Sequence, residues 1–176
     1  MSVKYGWVGN FFEDFEVGDV HKHPVGRTVT EAENIWFTLL TCNTNMNHIN
    51  IEYSKKTEFG TYLFNSGLTL AIINGLTVAD ISENAVANLG FDEVRLPAPV
   101  FVGDTLFAES TIIGKRPSKS RPYAGIVEVS TRGYKQDDTT VITYRRAAMI
   151  YTREGSPRFK PAADGAPVPG APTPGR

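Results

Sequence analysis

Cysteine occurs once, at Cys42, in a chain of 176 residues. No intramolecular disulfide can form, and a cysteine-rich zinc site is excluded; the expectation is a reducing compartment, the cytoplasm. A lone small thiol beside a helix end reads as filler rather than as a nucleophile, which would need a lowered pKa. An excess of either charge is also missing. Lys and Arg number 18 against 19 Asp and Glu, so no basic field points to a nucleic-acid partner. Long apolar runs are absent as well. The most apolar stretch, residues 68–79, is interrupted by Asn74 and Gly75 and is too short to cross a bilayer. Residues 1–7 lack the apolar core of a signal peptide. The expectations are therefore no membrane and no nucleic acid.

What is present is an ordinary globular composition, 41% hydrophobic and 21% charged, at a length that suits one domain. Residues 1–154 read as that domain. Residues 155–176 are rich in Pro, Gly and Ala and read as an extended tail. A short strand is expected over residues 20–25. Thr30 and Glu33 form a capping box, and Ile35, Trp36, Leu39 and Leu40 share one face at helical spacing, so a helix is expected over residues 31–41. Residues 42–50 form an Asn-rich loop, followed by a short helix over residues 51–57. Asn65 or Ser66 can cap a helix running from residue 67 to about residue 78. That helix is apolar on nearly every face, which predicts burial. Residues 86–95, 104–113, 125–134 and 139–151 read as strands. The order gives an α+β fold in which a curved antiparallel sheet clasps one long helix.

Several residues could carry chemistry. His21 and His23 alternate on one strand, but no thiol or carboxylate clusters with them, and a metal site is not expected. His48 ends the Asn-rich loop and is either a hydrogen-bonded loop residue or a base. The N–H groups of Ser66, Gly67 and Leu68 stand at the positive end of the buried helix and could hold a carbonyl oxygen that gains charge. The basic segment 115–121 reads as a loop between strands. Its Lys119 and Arg121 are candidates for a phosphate or carboxylate contact, against the plainer reading of a solvated hairpin.

The run Asn43-Thr44-Asn45-Met46-Asn47-His48 resembles the Asp-x-Asn-Pro-x-His motif of the MaoC-like dehydratases, the R-specific enoyl-CoA hydratases. Phe59-Gly60 and Asn65-Ser66-Gly67-Leu68 fit the segment that follows it. Residues 84–90, 97–106 and 118–122 resemble the branch of mesaconyl- and itaconyl-CoA hydratase-like proteins. The likeness covers about residues 11–152. It implies a hotdog fold, homodimers with sites at the interface, and water addition to an enoyl thioester. Coenzyme A would arrive as part of the substrate, with no separate cofactor. It also implies that the motif His and Asp hold the water while N–H groups at the helix start hold the thioester oxygen. Two positions depart from the motif. Met46 replaces Pro, and Asn43 replaces the Asp; a carboxamide can orient water but cannot take its proton. His48 is then the expected base, with Asn43 and Asn45 positioning it or the water. A thioesterase of the same fold and a non-catalytic acyl-CoA-binding subunit remain the alternatives. The first is weakened because Asp80 and Glu83 lie at the far end of the helix; the second is favoured by Asn43.

Overall fold

The computed structural model describes residues 7–159. Two short strands come first, β1 (Val20–Lys22) and β2 (Arg27–Thr28), then helices α1 (Glu31–Leu40), α2 (Ile51–Ser54) and α3 (Ser66–Leu76). Four long strands follow: β3 (Ala85–Arg95), β4 (Thr105–Pro117), β5 (Ala124–Lys135) and β6 (Thr140–Tyr151). The sheet is antiparallel, in the order β1-β4-β5-β6-β3, with β2 also on β4. α3 packs across it through Ile72 and Ile73, which join Leu106, Ala108, Val141, Ile142 and Tyr144 in one core. Gly133 makes this approach possible: a Cβ there would lie 2.7 Å from side-chain atoms of Ile73 and Ile142. A sheet wrapped on one central helix is the hotdog arrangement. Among the described residues, no helix is long and apolar enough to cross a membrane.

Local chemistry accounts for the element ends. Thr30 and Glu33 form the expected capping box of α1. The helix closes in a Schellman motif, with Cys42 N–H on Leu39 O, Asn43 N–H on Thr38 O, and Cys42 at φ 55°. α3 is capped by Asn65, whose side chain accepts from Gly67 N–H. It stops at Leu76, close to the expected end at about residue 78, and residues Val78–Ser82 form a π-helical turn. Thr77 accounts for the break, since its hydroxyl donates to Asn74 O while Arg146 from β6 grips Asn74 and Thr77.

The apolar stripe of α1 points outward: Trp36 is 67% and Leu40 75% exposed, whereas Asn34 and Thr38 are buried. The inward neighbour is the polar start of α3. Three expectations need correction. α3 is not sealed all round; Thr69, Ile72 and Ile73 are buried, while Gly67, Ala71 and Gly75 are open in this chain. Lys115, Arg116 and Pro117 belong to β4 rather than to a loop, pairing with residues 125–127 beyond a bulge at Ile112 and Gly114. Finally, Gly155 and Ser156 are buried and Pro157–Phe159 form a 3-10 turn, so the expected tail begins inside the packed unit. Residues 160–176 of that tail, and residues 1–6, lie outside the described residues.

Candidate active site

At the N-terminal end of α3 a cleft of about 430 Å³ opens, with Asn45, His48, Ser66 and Thr69 as its polar lining. Phe59, Phe64 and residues 96–100 supply apolar walls. His48 sits on a 3-10 turn, Met46–His48, whose cap is Asn45: the Asn45 side-chain oxygen accepts from Asn47 N–H at 3.0 Å. Asn43 does the same one step earlier, accepting from Asn45 N–H at 2.9 Å. The Asn-rich run is thus a chain of side-chain-to-backbone turns that fixes the loop.

His48 is only 7% exposed. Its Nδ1 lies 2.7 Å from Leu63 O. A carbonyl only accepts, so Nδ1 carries the hydrogen, and in the neutral ring Nε2 is the nitrogen with the lone pair. Nε2 is the ring's remaining nitrogen, on a residue that lines the cleft. This is the arrangement a general base needs.

The start of α3 is more selective than its sequence implied. Gly67 N–H is occupied by its own cap, Asn65 Oδ1, at 2.9 Å. Ser66 and Leu68 N–H have no hydrogen-bond partner among the described residues. Ser66 lines the cleft, whereas the Leu68 side chain lines a separate groove with Arg27, Ala71 and Gly75. Anion-holding capacity at the cleft therefore centres on Ser66.

The remaining candidates lie elsewhere. Asn43 does not line the cleft, and its side-chain oxygen is spent on the loop. An Asp there could cap the same N–H, so the Asn removes a charge while keeping the turn. Lys119 and Arg121 sit at the β4–β5 hairpin, where Gly125 pairs with Ile150; the cleft meets β6 at the other end, at Val141. Arg121 donates to Met149 Sδ at 3.2 Å. Within one copy neither cation reaches the cleft.

Sequence reasoning missed the buried amides behind the site. Asn34 on α1 donates to His48 O at 3.0 Å and Leu63 O at 3.4 Å, and accepts from Asn65 N–H at 2.8 Å. Asn65 in turn donates to Thr38 Oγ1 at 3.1 Å. The available signal was a polar pair, Asn34 and Thr38, four residues apart on one helix face.

A second polar cluster lies under the far end of α3. His23 Nδ1 is 2.7 Å from Asp80 Oδ2, and its Nε2 is 3.0 Å from Ser110 Oγ. The connectivity is that of a Ser–His–Asp triad, yet Ser110 is 0% exposed and also bonds Thr131 Oγ1 at 2.9 Å. Burial holds the His23 pKa below the ordinary 6.5, despite the opposing pull of Asp80. With both ring nitrogens engaged, His23 has no lone pair left for a metal.

A family model described as mesaconyl-CoA hydratase matches residues 5–167. The chain is 38% identical to a mesaconyl-CoA hydratase of Cereibacter sphaeroides over 146 residues, covering 83% of this chain and 42% of the relative. It is 36% identical to a beta-methylmalyl-CoA dehydratase of Chloroflexus aurantiacus over 154 residues, covering 88% and 43%. The crystal structure of a MaoC-domain dehydratase of Chloroflexus aurantiacus superposes with a TM-score of 0.81 at 33% identity, covering 98% of this chain and 46% of the other. The chain thus spans less than half the length of these relatives.

Proposed function

The chain belongs to the mesaconyl-CoA hydratase family, and from that premise we propose that it catalyses reversible hydration of a short, branched dicarboxylic enoyl-CoA of the mesaconyl- or itaconyl-CoA type. The observation that carries this reading is His48, held by Leu63 O as the Nδ1–H tautomer on the wall of a cleft that also contains the start of α3. The thioester oxygen would lie at Ser66, whose helix-start N–H stabilises the negative charge that develops during addition. His48 Nε2 takes one proton from water as the water oxygen bonds to the β-carbon. The same proton is then returned to the α-carbon, so the elements of water are consumed and the base is regenerated. Asn45 has its oxygen committed to the loop and offers its N–H₂ to the water. No metal or redox group enters this scheme; coenzyme A is part of the substrate. The lone exposed Cys42 fits a cytoplasmic setting.

Among the described residues, the cleft lining contains no cation and no carboxylate. The first absence supports a homodimer. β3 has an unpaired outer edge among the described residues, and an exposed edge is a template for a second copy. Antiparallel pairing there reverses the strand ends and brings the partner copy's basic hairpin, which carries Lys119 and Arg121, to the cleft side. The second absence leaves His48 as the one titratable side chain of the described cleft lining, so turnover rests on it, and an acyl-CoA-binding subunit without turnover is the rival to test. A thioesterase has less support, because the helix-end acid Asp80 is committed to His23.

Incubation with mesaconyl-CoA, followed by enoyl absorbance and free thiol together, tests the reading. Loss of absorbance without thiol release is expected. Thiol release would indicate a thioesterase, and binding without either change would indicate the subunit.

A further inference from the structure

The geometry points to Asn34 as a positioning residue for His48, a role that rests on the hydratase reading. Asn34 touches no cleft space; it is 0% exposed. Its one carboxamide joins three pieces of chain that make up the site. The Nδ2 hydrogens hold His48 O at 3.0 Å and Leu63 O at 3.4 Å, and Oδ1 receives Asn65 N–H at 2.8 Å. The first is the base's own backbone. The second is the carbonyl that fixes the base's tautomer, already accepting from His48 Nδ1 at 2.7 Å. The third is the cap of the helix that presents Ser66. No other described side chain bonds both walls of the cleft, and base and helix start are therefore registered to each other through Asn34.

The residue type is specific to the task. Two carbonyl oxygens must be met by donors and one N–H by an acceptor, within one side chain. A carboxamide meets both needs; a carboxylate has no donor, and a hydroxyl has a single hydrogen. Its position explains why α1 turns a polar face inward. The energetic consequence is geometric: small misplacement of a catalytic group can cost up to about 10²-fold in rate without removing any reacting atom.

The test compares Asn34→Asp, which keeps size and the acceptor but loses the donors, with Asn34→Ala, which serves if the Asp variant does not fold. Ile150→Val is the control, a mild core truncation remote from the cleft. Activity is measured on folded protein with mesaconyl-CoA. The His48 tautomer is read from long-range ¹H–¹⁵N correlations, which need no substrate. The expected result is a kcat reduced roughly 10- to 100-fold, a KM changed less than about threefold, and a mixture of His48 tautomers in place of Nδ1–H alone. The Ile150→Val control should lose thermal stability and keep wild-type kcat. A kcat within about twofold of wild type, or a His48 that stays a single Nδ1–H tautomer in the variants, overturns the proposal. Should the wild type turn over no enoyl thioester, the hydratase reading fails separately, and the tautomer measurement alone decides the role of Asn34.

Discussion

His48 and His23 are both buried, and both tie Nδ1 to an oxygen at 2.7 Å. They differ at the other nitrogen. His48 leaves Nε2 unpaired on a residue of the cleft wall, whereas His23 spends it on Ser110, which is in turn bonded to Thr131. One ring has a valence left for chemistry; the other is a strut that ties the chain just after β1 to the π-helical turn beyond α3 and to β4. The textual cue is the same in each case, a histidine near polar neighbours. Even the partners mislead, since the strut has the triad-like set and the working site has only a backbone carbonyl. Reactivity depends on what the ring has left after folding and on whether substrate can reach it.

The largest expected effect breaks the comparison on the His48 side. His48→Ala should lower hydration of mesaconyl-CoA by at least about 10²-fold, because no carboxylate among the described residues lines the cleft to replace the base. Its melting temperature should change little, and acyl-CoA affinity should persist. Steady-state kinetics and calorimetry on one preparation check both halves; full activity in the variant would remove His48 from the mechanism.

The mirror experiment is His23→Ala. It leaves Asp80 and Ser110 without their partner in a sealed environment, a loss of about 2–4 kcal/mol. For a chain of this size that lowers Tm by roughly 4–16 °C. Turnover per folded molecule should stay within about twofold of wild type. A collapse of kcat with unchanged Tm would make the buried cluster part of the site.

Much of this contrast was legible in the sequence. The strands and the central helix came from alternation and from a helix apolar on most faces, signals strong enough to survive errors of a few residues at the ends. His48 and Ser66 came from the motif-like run and the helix start. What could not be read is direction. The stripe of Ile35, Trp36, Leu39 and Leu40 gave a correct helix but no inward face, and the partner of α1 is a polar helix cap rather than a core. Asn43 was read as a site residue from its place in the motif, and its side-chain oxygen caps Asn45 N–H. Arg121 and Lys119 have the right chemistry for a phosphate, and within one copy strand register puts them at the opposite end of the sheet from Val141. Where each of these side chains points is decided by packing, which the sequence does not spell out.

A smaller effect sharpens the comparison through pH. The folded state holds the His23 pKa below 6.5, so at acid pH the unfolded chain binds more protons than the folded one. The stability contributed by the neutral ring is present above about pH 6.5 and is lost as pH falls below it. Thermal melts between pH 7.5 and 5 should show a falling Tm. His23→Gln should flatten that slope, whatever its effect on stability at pH 7.5. A slope unchanged in the variant would assign the acid sensitivity to other groups.

The smallest expected effect concerns Asn43→Asp, the change that restores the usual motif. Asp can make the same turn, since a carboxylate oxygen accepts Asn45 N–H as the carboxamide does. The Schellman bond from Asn43 N–H to Thr38 O is backbone-only and survives too. The side chain lies off the cleft lining, so the new charge reaches the reacting atoms only through space, attenuated by the intervening loop and solvent. The expected change in kcat is therefore less than about threefold in either direction, within the range of a remote charge substitution. A gain above tenfold would show that position 43 swings into the cleft when substrate binds and that the amide limits a shared acid–base step. A gain from no activity at all would favour the binding-subunit reading, with the carboxylate as the missing group.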